Sequence, residues 1–288
     1  MREDFAVFIL SHGRADRIYT LKSLQQGNYS GKWYIVIDNE DGTEKEYRKR
    51  FGEHVLQFDK LAVSQTFDTA DLSEDRRTIV YARNACFDLA KQVGVKYFCE
   101  LDDDYVSFMF RELTEKGFEG IISKNLDVIF SAFVDFLEVS GALSVAFAQG
   151  GDFIGGAKGR GAKQAVLRKC MNSFFCSVER PFKFLGRINE DVNTYTTLAS
   201  RGGLFMTITD FMLTQKTTQS NKGGMTDVYL DKGTFLKTFY TVMMMPSAVK
   251  VAMISSGKNA RIHHHVSWNN TAPCVLAETY RKKGADEK

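Results

Sequence analysis

The sequence has few prolines, no CxxC cysteine pair and no long apolar segment. Only 3 of its 288 residues are proline, which argues against disordered, proline-rich linkers. No apolar stretch approaches the roughly 18 residues that a membrane helix needs. The N-terminus enters a strand-like run at once, without the pattern of a signal peptide. We therefore expect a folded cytoplasmic protein that has no membrane anchor.

Cysteine usage and net charge narrow the class of protein further. The five cysteines are scattered, mostly among apolar neighbours. An odd, scattered set is typical of reduced, buried thiols and not of a disulfide framework. The formal net charge is only +3. A charge of this size permits a nucleic-acid partner but does not demand one.

The first hundred residues alternate between strand and helix patterns. Residues 5–10 (FAVFIL) and 33–37 (WYIVI) are continuous apolar runs, as expected for strands buried on both faces. A helix is predicted near residues 18–24 between them. Helical spacing over residues 78–93 is followed by another strand at 95–101. This order predicts an α/β fold with a mixed, mainly parallel central sheet flanked by helices.

The rest of the chain is less regular and shows no internal repeat or clean boundary. A single domain over residues 1–288 is therefore predicted. The spacing indicates a weaker strand at 55–58, a loop at 64–77, helices near 126–139 and 189–200, and strands near 142–148 and 171–178. Beyond residue 203 the pattern suggests only short strands and long loops.

Three aspartates, Asp102, Asp103 and Asp104, directly follow the strand at 95–101. In an open parallel sheet, ligands bind beyond the carboxyl ends of the strands. Adjacent carboxylates repel one another, so a positive group must offset their charge. Mn²⁺ and Mg²⁺ prefer oxygen ligands and bridge to phosphates. The cluster thus predicts a metal-bound diphosphate site, although a solvated acidic turn would also carry these residues.

A second acidic pair, Glu190 and Asp191, stands at the start of a predicted helix. Asn189 is a suitable N-cap, and acidic residues in a first helical turn complement the helix dipole. Helix capping alone would account for the pair. The alternative is catalytic, because a carboxylate at a rigid helix start is suited to remove a proton from a hydroxyl group.

Histidines and basic residues supply further candidates. In the run His263-His264-His265, the first and third side chains share a face if the segment is extended; metal binding and a surface cluster are both open. Trp268 is a candidate for stacking on an acceptor base, whereas Trp33 is expected in the core. Two glycine-rich segments carry basic residues that either grip phosphates or are merely solvated: Lys158, Arg160, Lys163, Arg168 and Lys169, and then Lys216 and Lys222 beside Gly223 and Gly224.

Taken together, these segments resemble glycosyltransferases of the GT-A fold, over about residues 5–268. The carrying motifs are Ser-His-Gly-Arg after the first strand, Asp-Asn-Glu after the second, Arg-Asn in the helix before the acidic strand, LDDDY, and the later Glu-Asp pair. The resemblance implies donor-nucleotide contacts from Ser11, Gly13, Arg14, Asp38, Glu40, Arg83, Asn84, Asp102 and Asp103, a metal held by Asp102 and Asp104 with His263 or His265, and an acceptor base at Asp191 or Glu190.

Within that fold the chain is similar to the phage-encoded TET-associated glycosyltransferases and related phage DNA glycosyltransferases. Residues 1–110 would then bind the nucleotide sugar, and residues 111–288 the acceptor. The resemblance implies transfer from a UDP-sugar, with glucose and arabinose both open, to 5-hydroxymethylcytosine in DNA, with Mn²⁺ or Mg²⁺ as cofactor in the host cytoplasm. Two alternatives remain: the same fold acting on a protein or saccharide acceptor, and a non-catalytic descendant that binds DNA or a sugar nucleotide.

Overall fold

The structure is a computed structural model that describes residues 1–71, 73–115, 117–153, 167–215, 225–256 and 259–271. Several sequence candidates lie outside the described residues: Lys158, Arg160, Lys163, Lys216, Lys222, Gly223, Gly224 and Cys274. The strands are β1 (Phe5–Leu10), β2 (Lys32–Asp38), β3 (Val55–Phe58), β4 (Tyr97–Asp102), β5 (Tyr105–Thr114), β6 (Gly117–Ile122), β7 (Ser144–Gln149), β8 (Ser173–Ser177), β9 (Phe205–Gln215), β10 (Val249–Ser256) and β11 (Asn259–Val266). The helices are α1 (Tyr19–Gln26), α2 (Glu44–Phe51), α3 (Lys60–Ser64), α4 (Val80–Gln92), α5 (Leu126–Ser140), α6 (Glu190–Ser200), α7 (Met225–Met244) and α8 (Trp268–Thr271).

Nine of these strands form one sheet in the order β3-β2-β1-β4-β8-β7-β9-β5-β6. The strand pairs β2–β3, β1–β2, β1–β4 and β7–β9 are parallel. The other four pairs are antiparallel, and β10 and β11 form a separate antiparallel hairpin. The predicted α/β architecture with a mixed central sheet is confirmed. Its parallel block is the N-terminal part, which gives several strands a common carboxyl edge.

Both faces of this sheet are covered, which explains why the first strands read as unbroken apolar runs. Along β1 every residue is buried, and alternate side chains enter two separate cores. Phe8 packs in the core that α4 and α6 cover. Phe5 and Val7 pack in the core formed with α1 and α5. A strand buried on both faces is expected between two layers of helices.

The element boundaries agree best with the sequence where periodicity is strong. The predicted strands at 5–10 and 55–58 are found as β1 and β3, and the predicted helices near 78–93 and 126–139 as α4 and α5. The interpretation of the region after residue 203 is wrong. That region contains the 11-residue strand β9 and the 20-residue helix α7. Packing against the hairpin and α6 overrides the weak local pattern.

Two further expectations concern membranes and cysteines. None of the helices within the described ranges is long and apolar enough to cross a membrane. Cys86, Cys99, Cys170 and Cys176 are buried free thiols, as predicted for four of the five cysteines.

Candidate active site

The carboxyl ends of three parallel strands meet at one edge of the sheet. Leu10 of β1 is in register with Val36 of β2 on one side and Asp102 of β4 on the other. The residues that follow each strand are therefore neighbours in space, although Ser11 and Asp103, for example, are 92 positions apart in sequence. We call the group Ser11, Arg14, Asp38, Asp102, Asp103 and Asp104 the strand-edge site.

Asp103 is the most enclosed member of the strand-edge site. It is only 3% exposed. Its two oxygens accept hydrogen bonds from Ser11 Oγ (2.6 Å) and Arg14 Nη1 (2.9 Å). Tyr47 supports the same loop, because its hydroxyl lies 2.7 Å from Ser11 Oγ and accepts a hydrogen bond from the Arg14 backbone amide. Asp103 thus joins the loop after β1 to the end of β4, and its carboxylate is already used within the protein.

Asp38 ends β2 and is held by His12 and Lys60. His12 Nδ1 lies 2.7 Å from Asp38 Oδ2, and Lys60 Nζ lies 3.2 Å from the same oxygen. Burial acts to raise the pKa of Asp38, but the hydrogen bond from His12 and the charge of Lys60 lower it overall. The same contact raises the pKa of His12, which is half exposed at the mouth of this group. Glu40, which the family resemblance assigns to the donor nucleotide, forms an exposed ion pair with Arg76.

Four supporting residues at this edge were not predicted as site residues: His12, Asp41, Tyr47 and Lys60. Asp41 accepts a hydrogen bond from the backbone amide of Gly13 and also binds Thr43, so it fixes the turn after β1. Asp41 and Lys60 follow the strand ends of β2 and β3. The rule that sites collect at carboxyl ends would have selected these two residues. Nothing in the sequence around Tyr47 marks it out.

Asp102 and Asp104 differ from Asp103 because they are only partly buried. Asp102 Oδ1 accepts a hydrogen bond from Arg83 Nη2 at 3.0 Å. Within the described part of the chain, Asp104 has no ion-pair partner. Burial and the charges of Asp102 and Asp103 raise its pKa to about 7. A partly exposed carboxyl beside two further aspartates suits a divalent cation, which prefers such oxygen donors.

The predicted histidine ligands are not assembled with these aspartates. Across the residues that the structure describes, no three His, Cys, Asp or Glu side chains are placed as a metal-binding group. Residues 263–265 lie in the extended strand β11, which is the condition for His263 and His265 to share a face. His263 pairs with Ala252 and His265 with Lys250 across the hairpin, and His265 is exposed. Metal ligation by His263 and His265 stays a prediction.

Arg83 connects the strand-edge site to the second acidic pair. It projects from α4 and is 2% exposed. Its Nε donates to Glu190 Oε1 at 3.1 Å, its Nη2 donates to Asp102, and its Nη1 lies 3.5 Å from Glu100 Oε2. Glu100 is fully buried, and burial raises its pKa to about 8 even though Arg83 acts to lower it. The Arg83 guanidinium therefore contacts carboxyl groups from both acidic motifs.

The second acidic pair, Glu190 and Asp191, is buried at the start of α6, and we call it the acid-pair site. Burial raises the pKa of both carboxyls, and the charge of Asp191 raises that of Glu190 further. Asn189 stands at the N-cap position but makes no side-chain cap hydrogen bond. Its φ of 56° is left-handed, and its Nδ2 instead donates to the Lys237 carbonyl and to Thr241 Oγ1. The capping alternative therefore does not account for Asn189, which ties α6 to α7.

The loop that enters α6 is held by long-range contacts. Asn84 of α4 makes two hydrogen bonds to the backbone of Phe184, one to its amide and one to its carbonyl. Arg187 is 1% exposed and pairs with Asp71 at 2.8 Å. Gly186 has a φ of +77°, and a Cβ placed there would lie 2.3 Å from Asn193 Nδ2. Asn84, predicted from the family resemblance to line a nucleotide pocket, here binds the backbone of Phe184 in the loop that leads to α6.

The structure brings most predicted site residues into two connected groups. Ser11, Gly13, Arg14, Asp38 and the three aspartates gather at the strand edge. Arg83 links that group to Glu190, and Asp191 follows it. Trp268 stacks on Tyr195 of α6, with ring centroids 5.7 Å apart, close to the acid pair along the same helix. Trp33 is half-buried and stacks on His54, in agreement with a core role.

The fold and these acidic groups are those expected of a GT-A-like glycosyltransferase. The family model described as TET-Associated Glycosyltransferase matches residues 5–224, which includes both acidic motifs. The chain belongs to this family and is a glycosyltransferase.

Comparisons with individual proteins add little. A search of proteins with curated functions gave no match. Among solved structures, one from Entamoeba histolytica assigned as a UDP-N-acetylglucosamine pyrophosphorylase shares 10% identity over 94% of this chain and 72% of that chain. Its TM-score of 0.30 is too low for the likeness to carry an argument.

Proposed function

We propose that this glycosyltransferase moves glucose or arabinose from a UDP-sugar to the hydroxyl group of 5-hydroxymethylcytosine in DNA, with Mn²⁺ or Mg²⁺ as cofactor. The acceptor oxygen forms a bond to the anomeric carbon, the bond from that carbon to the diphosphate breaks, and UDP leaves. The hydroxyl proton passes to a carboxylate. The observation that supports this best is the connection, through Arg83, of a strand-edge acid cluster to a buried acid pair in a chain of this family.

The strand-edge site is suited to hold the donor. Asp102 and Asp104 are the partly exposed carboxyls, and they are the residues that would hold a divalent ion. Such an ion, when bound, offsets the charge that gathers on a diphosphate leaving group. Arg14 presents a guanidinium to the same edge, although Asp103 takes one of its nitrogens. Asp38, His12 and Lys60 form the neighbouring polar group that suits the ribose or the base.

Asp191 is the better candidate for the acceptor base. Glu190 is committed to Arg83 through its Oε1. Asp191 accepts a short-range hydrogen bond from the Val192 amide. Burial raises the pKa of Asp191, and a raised pKa makes a carboxylate a stronger proton acceptor at neutral pH.

Positive charge beside Asp191 favours an anionic acceptor. Lys169 and Lys237 both act to lower the pKa of Asp191, and both also act on His264. The two lysines therefore lie around the acid-pair site. A polyanion such as DNA gains from cations at this position, whereas a neutral saccharide does not. This observation supports DNA over a saccharide acceptor.

Mass spectrometry of nucleosides tests the proposal. Hydroxymethylated DNA is incubated with the protein, Mn²⁺ and a panel of UDP-sugars, then digested to nucleosides. We expect a hexose or pentose increment on 5-hydroxymethylcytosine, and unmodified cytosine DNA is the matched control. Donor cleavage without any DNA product would point to a protein or saccharide acceptor. Absence of both donor cleavage and DNA product would favour the non-catalytic alternative and overturn the proposal.

A further inference from the structure

Arg83 contacts three acidic side chains that come from two different elements, β4 and α6. Glu100 and Asp102 lie on β4, two residues apart, so both side chains point to the same face of the sheet. Glu190 lies at the first position of α6. The three contacts use three different nitrogens of the guanidinium, at 3.5 Å, 3.0 Å and 3.1 Å. Each edge of the planar group is therefore directed at a separate carboxylate.

The surroundings of Arg83 leave it little freedom. Its guanidinium carbon lies 5.0 Å from the ring centre of Phe174 and 5.9 Å from that of Phe184. A buried cation between aromatic rings is fixed both by packing and by its ion pairs. Because the side chain is 2% exposed, water cannot replace a carboxylate that moves away. The orientation of Arg83 and the positions of its carboxylates are therefore mutually dependent.

We propose that Arg83 is a positioning residue that fixes the acid-pair site relative to the carboxyl end of β4. This inference rests on the proposed function, in which β4 holds the donor and Asp191 receives the acceptor proton. Arg83 does not touch Asp191 itself. It holds Glu190, the preceding residue, and so sets where the first turn of α6 begins. Asp191 then meets a donor bound at Asp102 at one fixed separation.

The geometry explains why arginine is required at this position. Lysine carries the same charge but presents one ammonium group, and arginine presents several nitrogens in a rigid plane. A lysine cannot reach Glu100, Asp102 and Glu190 together. Arg83→Lys therefore keeps the buried charge and removes the fixed geometry. Arg180→Lys is the control, because Arg180 is partly buried and donates two hydrogen bonds, to the carbonyls of Ala142 and Leu137, but has no described contact with either acidic motif.

Steady-state kinetics distinguish positioning from donor binding. We expect Arg83→Lys to lower kcat by about 10²-fold, the usual effect of a displacement near 1 Å. The KM for the UDP-sugar should stay within about threefold of the wild-type value, because Asp102 and Asp104 remain. Arg180→Lys should leave kcat of the folded protein within about threefold. A rise in donor KM with unchanged kcat would instead assign Arg83 to donor binding and overturn the proposal.

A double-variant cycle tests whether Arg83 acts through Glu190. The variants are Arg83→Lys, Glu190→Gln and the combination of the two. If Arg83 acts through Glu190, the activity of the double variant should be about that of the less active single variant. Its fold-loss should not equal the product of the two single fold-losses. Losses that multiply would show independent action and would contradict the proposal.

Hydrogen exchange separates failure of this inference from failure of the proposed function. If the wild-type protein transfers no sugar, the proposed reaction is wrong, and the structural link is tested without activity. Arg83→Lys should speed amide exchange at residues 191–194 and 100–102, and Arg180→Lys should not. Unchanged exchange at these positions in Arg83→Lys would overturn the positioning role, whatever the reaction.

Discussion

The strand-edge site and the acid-pair site are both acidic, yet they are built in opposite ways. The strand-edge site follows from chain direction: parallel strands end at one edge, and the residues after them meet. The acid-pair site has no such rule behind it. Glu190 and Asp191 are buried. Arg83 of α4 binds Glu190, while Asn84 of α4 and the carbonyl of Lys237 hold the flanking residues Phe184 and Asn189.

This difference bears on what each site is able to do. Asp104 is partly exposed and surrounded by like charge, so it is open to an incoming cation and phosphate. Asp191 is enclosed, and burial raises its pKa, so it is suited to receive a proton and not to bind a metal. Variants at the two sites should therefore fail in different ways.

The largest effect is expected at the acid-pair site. Asp191→Ala removes the proposed proton acceptor and should lower transfer by at least about 10²-fold, within the range typical of a general base. Binding of UDP with Mn²⁺, measured by calorimetry, should be unchanged because the strand edge is intact. Circular dichroism serves as the folding control. Full transfer activity in Asp191→Ala would exclude this residue as the base.

Asp104→Ala should lower transfer by about tenfold through weaker donor binding. The variant removes one of the two partly exposed carboxyls, so calorimetry should show UDP binding in the presence of Mn²⁺ weakened by about tenfold or more. Excess EDTA should have the same effect on the wild-type protein, and added Mn²⁺ should reverse it. Wild-type activity that persists in EDTA would remove the metal from the mechanism.

The same contrast explains how much the sequence predicted. Asp102 was found because an apolar run followed by polar residues marks the end of a buried strand, whereas Ser11 and Asp38 were assigned from the family resemblance. Glu190 and Asp191 were found only as an acidic pair, since their burial depends on α4 and α7 far away in the sequence. The roles of Arg83 and Asn84 followed from resemblance and not from contacts. The structure places Arg83 against Glu190 and Asn84 against the backbone of Phe184.

Helix α7 shows the limit of local patterns. Its segment contains Gly233 and several aromatic and β-branched residues, which weaken any helical expectation. Tyr240 and Thr241 are nevertheless buried, and Asn189 binds the α7 backbone. Tertiary contacts, which periodicity cannot report, stabilise this helix.

Substitutions at Gly13 and Gly186 compare the rigidity of the loops at the two sites. Gly13 and Gly186 both have positive φ, but a Cβ at Gly13 meets nothing within 4 Å, whereas at Gly186 it would meet Asn193 Nδ2. Gly13→Ala should cost about 1 kcal/mol of unfolding free energy from backbone strain alone. Gly186→Ala should cost about 2–3 kcal/mol because a steric clash is added. Urea unfolding measures both, and equal losses would mean that the loop before α6 adjusts freely.

The smallest effect concerns the pH dependence of stability at Asp104. The folded pKa is about 7, above the ordinary value of 3.8. Between these values the unfolded chain has released the proton and the folded protein retains it, so stability falls as pH rises from about 4 to about 7. Asp104→Asn lacks this contribution.

In EDTA, the unfolding free energy of the wild-type protein relative to Asp104→Asn should therefore decline across that range. The size is on the order of 1 kcal/mol, since the carboxyl is partly exposed and solvent screens its charge. Added Mn²⁺ should reverse the trend, because a cation binds the ionised carboxylate and stabilises it in the folded state. A flat difference between the two proteins in EDTA would mean that the three aspartates do not repel one another, and the charge argument for a metal at the strand edge would lose its basis.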